Sequence, residues 1–245
     1  MYRYLSTIIF LFILTSCEDK ESKEKLDANP QFQSVDTLKK EQEQDFSEVK
    51  KEENIKMTDT SNGPILVQEE VIPFLTKYAN EHDETKIRIK TEFGNIDIVL
   101  FKDTPLHRAN FLLLTKEDYY DDTYFYRVVK GFVIQGGDSD NLSTSKKRAK
   151  IGSYLIPNEY TNNHPHVRGS FAAAKFTEQN VSNASSPFDF YIVQSKNGAP
   201  HLNGEHTVFG QVVKGMDVVD KIAQQEIGEG EWPLQNIPMD VEIID

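Results

Sequence analysis

A period of two that sets in at Lys86 limits what this chain can become more than any other feature. Ile87 and Ile89, then Ile96, Ile98 and Leu100, stand at alternate positions on either side of Gly94-Asn95. Alternation of this kind places one face of a strand in a core and the other in water. The spacing predicts a β-hairpin that turns at Gly94-Asn95. Strand-like segments recur at 124–129, 132–135, 170–174, 190–194, 208–213 and 241–244, parted by Gly, Pro, Asn and Ser. One helix is marked by Pro105 behind a candidate cap at Thr104, followed by apolar positions 106, 109 and 111–114. A second is expected near 216–225. Mostly β with two or three helices means a barrel or a sandwich.

Upstream of Thr85 the composition changes. Residues 64–84 predict a short helical extension, because Phe74, Leu75 and Tyr78 follow Pro73 at helical spacing. Between 17 and 63, charged residues, Gln and Ser surround only scattered apolar side chains, too few to offset the entropy of ordering. A disordered acidic tether is expected there, with a reach on the order of 35–40 Å; a charged surface helix over 37–57 is the alternative. The apolar run at 5–14 is too short to span a hydrocarbon layer of about 30 Å and fits the core of a signal peptide over 1–16. Leu14-Thr15-Ser16-Cys17 looks like a bacterial lipobox, which would make Cys17 a lipidated anchor to a membrane of the cell envelope, on a periplasmic or exterior face. A chance cysteine behind an ordinary signal is the competing reading. Several acyl chains on one residue hold a protein stably where one binds only marginally. The acidic stretch after Cys17 loosely resembles signals that take some bacterial lipoproteins to the cell surface.

Charge and cysteine content exclude several function classes. With 27 Lys and Arg against 39 Asp and Glu, the net charge is −12, so nucleic-acid phosphates would be repelled. Cys17 is the only cysteine, which rules out an intramolecular disulfide, cysteine-ligated zinc and a thiol nucleophile in the body of the fold. His164 and His166 have no third ligand in view and are expected in a surface loop. No Gly-x-Ser-x-Gly elbow offers a serine nucleophile, and Gly136-Gly137 has neither the lysine nor the strand-to-helix context of a phosphate loop. The expectation is a monomer with no cofactor, no metal and no nucleic-acid partner.

The chemistry begins at Arg127. On simple alternation Phe125, Arg127 and Val129 share a strand face, so a guanidinium stands between apolar neighbours; a snorkelling arginine on a solvated face would look the same. Gln135 is similarly placed beside Val133. Taken together, Phe125-x-Arg127-x-x-x-Gly131-Phe132-x-x-Gln135-Gly136-Gly137-Asp138 resembles the signature of the cyclophilin family of peptidyl-prolyl cis-trans isomerases. A second block, from His201-Leu202-Asn203-Gly204 through Val208-Phe209-Gly210, is similar to another of that family. The resemblance covers 85–245 and includes the helix holding Pro105, Ala109, Asn110 and Phe111. It implies a mainly β fold, a closed eight-stranded antiparallel β-barrel capped by two helices, with a groove on the outside that takes proline-containing polypeptides.

By position, the resemblance makes Arg127 the catalytic arginine, Phe132 and Leu202 the floor and wall of a proline pocket joined by Val133, Gln135 the backbone-binding amide and His206 a rim residue. Ala174 and Lys175 would touch the peptide before proline, and Tyr191 stands where the family has a pocket phenylalanine. Two departures stand out. Asp189 replaces a glutamine, exchanging a group that donates and accepts for one that, ionised, only accepts; His201 replaces a tryptophan, which should weaken cyclosporin-type inhibitors. The expectation is that Asp189 pairs with Arg127, lowers activity and would be relieved by Asp189→Gln; otherwise it points to solvent or caps its loop. In the extreme the chain would be a proline-peptide clamp or holdase with little turnover. The segment 139–156, with the basic cluster Lys146-Lys147-Arg148, is expected to be a solvated loop, and Trp232 to serve packing.

Overall fold

The computed structural model describes residues 66–176 and 182–245; the expected signal peptide, Cys17 and the tether over 17–63 lie outside them. Chain order gives α1 (Val71–Glu81), β1 (Lys86–Thr91), β2 (Gly94–Leu100), α2 (Pro105–Lys116), β3 (Tyr124–Val129), β4 (Val133–Asp138), α3 (Leu142–Ile151), β5 (Ser170–Ala173), β6 (Phe190–Val193), β7 (Val208–Lys214), α4 (Met216–Ile222) and β8 (Asp240–Ile243). The eight strands form one antiparallel sheet in the order β3-β4-β6-β5-β7-β2-β1-β8. The sheet curls until its two edges meet. At that seam Tyr124 bridges Pro238, the Phe125 amide donates to Ile237 O at 2.9 Å and the Met239 amide to Thr123 O at 3.2 Å. Pro238 sits at the non-hydrogen-bonded position of this pairing, where its missing N–H costs nothing, and the two edges meet through a single bridge.

The interior holds Ile87, Ile89, Ile96, Ile98, Phe171, Phe190 and Ile192, all at most 1% exposed. A second apolar cluster lies on the other face of the sheet, where Val133, Ala172, Ala174, Tyr191, Val193 and Val208 pack together. β5 and β6 serve both clusters: Phe171 and Ala173, with Phe190 and Ile192, face the interior, while Ala172, Tyr191 and Val193 join the outer cluster. A strand buried on both faces carries a continuous apolar run in place of alternation, which is how Phe190-Tyr191-Ile192-Val193 reads.

Three local expectations need correction. The hairpin pairs Thr91 with Gly94, so Glu92-Phe93 is its turn and Gly94 opens β2 with φ +127°, a backbone state suited to glycine. Thr104 does not cap α2; its hydroxyl turns back to Phe101 O at 3.3 Å. The first free amides of α2, Leu106 and His107, donate instead to the two oxygens of Glu159 at 3.0 and 2.9 Å, a carboxylate brought to a helix N-terminus from distant sequence. Within 139–156 the chain forms helix α3, and Arg148 turns inward from it.

Helix α1 presents Val71, Leu75 and Ala79 to the fold, all buried, a spacing of four that keeps one face. Arg108 of α2 ties down its C-terminal end, donating to Ala79 O at 3.1 Å and His82 O at 2.7 Å. Free carbonyls at a helix C-terminus favour such a cation. No described helix is long and apolar enough to cross a membrane.

Candidate active site

Arg127 is set by a break in strand regularity. Phe125 pairs with Gly136 and Arg127 with Gln135, so two residues of β3 advance against one of β4. A bulge of this kind bends a strand and re-aims the side chains after it. Phe125 and Val128 are therefore the buried members of β3. Arg127 does not share a face with Phe125, contrary to the simple alternation; the bulge at Tyr126 turns the guanidinium out beside Gln135, its cross-strand partner.

There it lines a groove of about 340 Å³ on the outer cluster. The polar lining comes from Arg127, Gln135, Lys175 and His206, and the apolar lining from Phe132, Val133, Ala174, Tyr191 and Leu202. Nine residues singled out in the sequence thus meet in one place. His201 stands just beyond, stacked on Phe132 with ring centroids 5.3 Å apart, where it shields one side of the phenylalanine. It shares the short helical turn Pro200–Leu202 with Leu202. Asp189 does not line the groove.

The guanidinium is held at two points. Nε donates to Glu231 Oε2 at 2.7 Å and Nη1 to Gln135 Oε1 at 3.3 Å. Among the described residues Nη2 has no hydrogen-bond partner. Glu231 was not foreseen: it lies in Gly228-Glu229-Gly230-Glu231, where only backbone path brings a carboxylate back to β3. Its neighbour Trp232 lies against Tyr126 at 5.4 Å between centroids, while the rest of its ring is exposed.

Asp189 pairs elsewhere than expected. It is 7% exposed, with Oδ1 near Arg148 Nη2 at 3.3 Å and Oδ2 accepting from Ser186 Oγ at 2.6 Å. Tyr126 OH donates to Oδ1 at 3.2 Å. Burial pushes its carboxyl above the usual range, and the Arg148 charge opposes that rise. Neither pairing with Arg127 nor exposure to solvent describes it. β4 passes close to this segment because Gly137, at φ +101°, has no side chain; a Cβ there would lie 2.2 Å from Phe188 O.

Tyr191 carries a hydroxyl into the apolar pocket, and a buried histidine satisfies it. His166 is 2% exposed, not in a solvated loop. Its Nε2 lies 2.9 Å from Tyr191 OH and its Nδ1 2.8 Å from Asn203 Oδ1. Burial pushes its pKa down to about 4, so the ring is neutral at pH 7. With Nδ1–H donating to Asn203, Nε2 accepts from Tyr191. His206 is also pushed down by burial, and lies 3.2 Å from Ala173 O. His164 stacks on Phe101 and meets Asp103 at 2.8 Å; no described cluster of histidines and carboxylates could hold a metal. Lys175 spans Asn183 Oδ1 at 2.8 Å and Glu205 Oε2 at 3.1 Å, one rim of the groove.

Chemically, the site offers a fixed hydrogen-bond donor beside an apolar pocket, with no serine, threonine or cysteine among its described lining residues. The comparisons agree. A family model described as cyclophilin type peptidyl-prolyl cis-trans isomerase/CLD matches residues 86–242. A peptidyl-prolyl cis-trans isomerase of Acinetobacter baylyi is 39% identical over 142 residues, 57% of this chain and 72% of that one. A peptidyl-prolyl cis-trans isomerase-like 2 protein of Rhizopus delemar is 38% identical over 152 residues, 61% of this chain but 27% of its own length. A crystal structure of a Cryptosporidium parvum cyclophilin type peptidyl-prolyl cis-trans isomerase, solved in the presence of the dipeptide Ala-Pro, aligns with TM-score 0.54 at 27% identity, covering 65% of this chain and 99% of that one. With its fold, its groove and a family match over most of its length in accord, the chain belongs to the cyclophilin-type peptidyl-prolyl cis-trans isomerases.

Proposed function

We propose that this protein accelerates rotation about X-Pro bonds of exported polypeptides in a bacterial cell envelope, held to a membrane by a lipid on Cys17. The meeting of Arg127 with the apolar pocket in one groove carries the catalytic part of this reading. The X-Pro amide is planar by resonance, with a barrier of about 18–20 kcal/mol and an uncatalysed half-time of tens to hundreds of seconds. In the twisted form the prolyl nitrogen recovers its lone pair and can accept a hydrogen bond. Nη2 of Arg127 can supply one, and no covalent bond to the protein forms.

Magnitude decides what else is needed. A rate gain of about 10⁵ takes about 7 kcal/mol from the barrier, whereas one charge-assisted hydrogen bond contributes about 1.5–3 kcal/mol in ordinary surroundings. The apolar pocket must hold the proline ring and exclude water, so that the prearranged guanidinium acts at low dielectric on the twisted state more than on the planar one. Glu231 and Gln135 occupy Nε and Nη1, which orients the guanidinium before substrate arrives.

The clamp-only alternative drew on Asp189 neutralising Arg127, and that pairing is replaced by one with Arg148. NMR exchange on an Ala-Pro-containing peptide with the full-length protein in detergent separates the two: an isomerase broadens the cis and trans signals by exchange, while a clamp shifts them without exchange. The envelope placement is supported by the apolar run and the lipobox-like Leu14-Thr15-Ser16-Cys17. Labelling of cells with a fatty acid should mark the protein and spare Cys17→Ala; label in the variant would remove the anchor reading.

A further inference from the structure

We infer that Tyr126 and Asp189 are positioning residues for the isomerase reaction, joined in a one-way hydrogen-bond chain that aims the Gln135 oxygen at Arg127. The inference rests on the role of Arg127 proposed above and adds what orients it.

The count of protons fixes the direction. The Tyr126 hydroxyl has a single proton and two neighbours, Asp189 Oδ1 at 3.2 Å and Gln135 Nε2 at 2.5 Å. Both oxygens of Asp189 already act as acceptors, Oδ1 from Arg148 Nη2 at 3.3 Å and Oδ2 from Ser186 Oγ at 2.6 Å, so the hydroxyl donates to Oδ1 and its lone pairs face Gln135. Only an N–H satisfies them. Gln135 therefore turns Nε2 to Tyr126 and Oε1 to Arg127 Nη1, 3.3 Å away. The reversed amide would set an N–H₂ against the guanidinium and an oxygen against the tyrosine oxygen, unfavourable at both ends. Such amide orientation is set by its network.

The head of the chain is itself fixed. Arg148 reaches Asp189 from α3 while its Nε donates to Tyr119 OH at 2.8 Å and its Nη2 meets Gly137 O at 3.2 Å. Asp138 lies 3.2 Å from the same nitrogen, and the guanidinium sits 4.7 Å over the Phe188 ring. An amide at 189 could donate to Tyr126 or accept from it, and would leave the direction of the chain open. The carboxylate closes that choice. The expected effect of Asp189→Gln is accordingly a loss of activity, the reverse of what the sequence suggested.

The test is a double-mutant cycle in the full-length protein with Tyr126→Phe and Asp189→Asn, read by NMR exchange on an Ala-Pro-containing peptide. Each variant should lose about five- to tenfold in kcat/KM, the cost of one misdirected hydrogen bond, with the loss in kcat and KM changed less than about twofold. The double variant should be no slower than the worse single one, because both act through one chain. The Gln135 side-chain amide should give one sharp pair of ¹H-¹⁵N signals in the wild type and a shifted or doubled pair in both variants, which a merely structural role would not produce. Full activity in a folded Tyr126→Phe, or losses that multiply in the double variant, would overturn the proposal. If Asp189→Asn does not fold, Tyr126→Phe decides alone, since its ring and packing remain. If the wild type gives no exchange at all, the isomerase reading itself fails, and unchanged Gln135 signals in Tyr126→Phe would separately refute the chain.

Discussion

Arg127 owes its place to one extra residue in β3. Alternation marked it as an oddity between Phe125 and Val129, and the oddity was real, but the reason was different: the bulge at Tyr126 takes Phe125 inward and Arg127 outward. Bulges carry no clear sequence sign, so the face of a single side chain was not legible even where the strand was. Asp189 taught the same lesson. Its departure from glutamine was visible, yet its partner Arg148 arrives from a helix 41 residues upstream that reads as a basic loop. His166 is the residue whose burial has the most direct solution consequence. Its pKa is about 4 when folded, against about 6.5 unfolded. Between these values the unfolded chain binds a proton that the folded one refuses, so stability falls as pH drops from about 6.5 to 4, by up to about 3 kcal/mol, and levels off below. His206, also depressed, adds a slope of the same sign. Urea midpoints measured across this range should therefore fall less steeply in His166→Gln than in the wild type; equal slopes would show that His166 is not the group responsible.

Among the elements, α2 shows how long-range partners replace local ones. Its apolar positions and Pro105 announce the helix in sequence, and its boundary is found correctly. Its cap is not, because Glu159 lies 52 residues from His107 and no local pattern points to it. The carboxylate receives two backbone amides and the His107 Nδ1 at 2.6 Å, and His107 is buried. Removing it strands donors at a partly buried helix end, so Glu159→Ala should cost about 2 kcal/mol. A urea titration would register this, with Glu159→Gln losing less; an unchanged midpoint in the alanine variant would mean that water replaces the cap. The Glu92-Phe93 turn and the helical 142–151 segment were misplaced for a related reason. Turn residues and basic clusters have several local solutions, and the choice among them is made by Val218 behind Gly94 in one case and by Asp189 beneath Arg148 in the other.

At the scale of the whole molecule, the strand count, the antiparallel pairing and the two sequence blocks that carry the groove were legible, because period-two runs and the Phe125 to Asp138 signature constrain the fold jointly. The doubly buried strands β5 and β6 link the fold to the function. They carry the interior on one face and, on the other, the apolar cluster that floors the groove, so the scaffold that closes the barrel also holds Tyr191 and Ala174 in place. In the mechanism proposed above, Arg127 is the part beside this floor that distinguishes twisted from planar amide. Its replacement therefore tests the account most directly, by measuring kcat/KM and peptide affinity together for wild type, Arg127→Lys and Arg127→Ala in the full-length protein. Arg127→Ala should lose about 10²–10³ in kcat/KM, as for removal of one prearranged donor, while affinity for the ground-state peptide changes less than about threefold. Arg127→Lys keeps the charge without the planar fork and should recover little. A loss of affinity that matches the loss of rate, or full catalysis in Arg127→Ala, would contradict it.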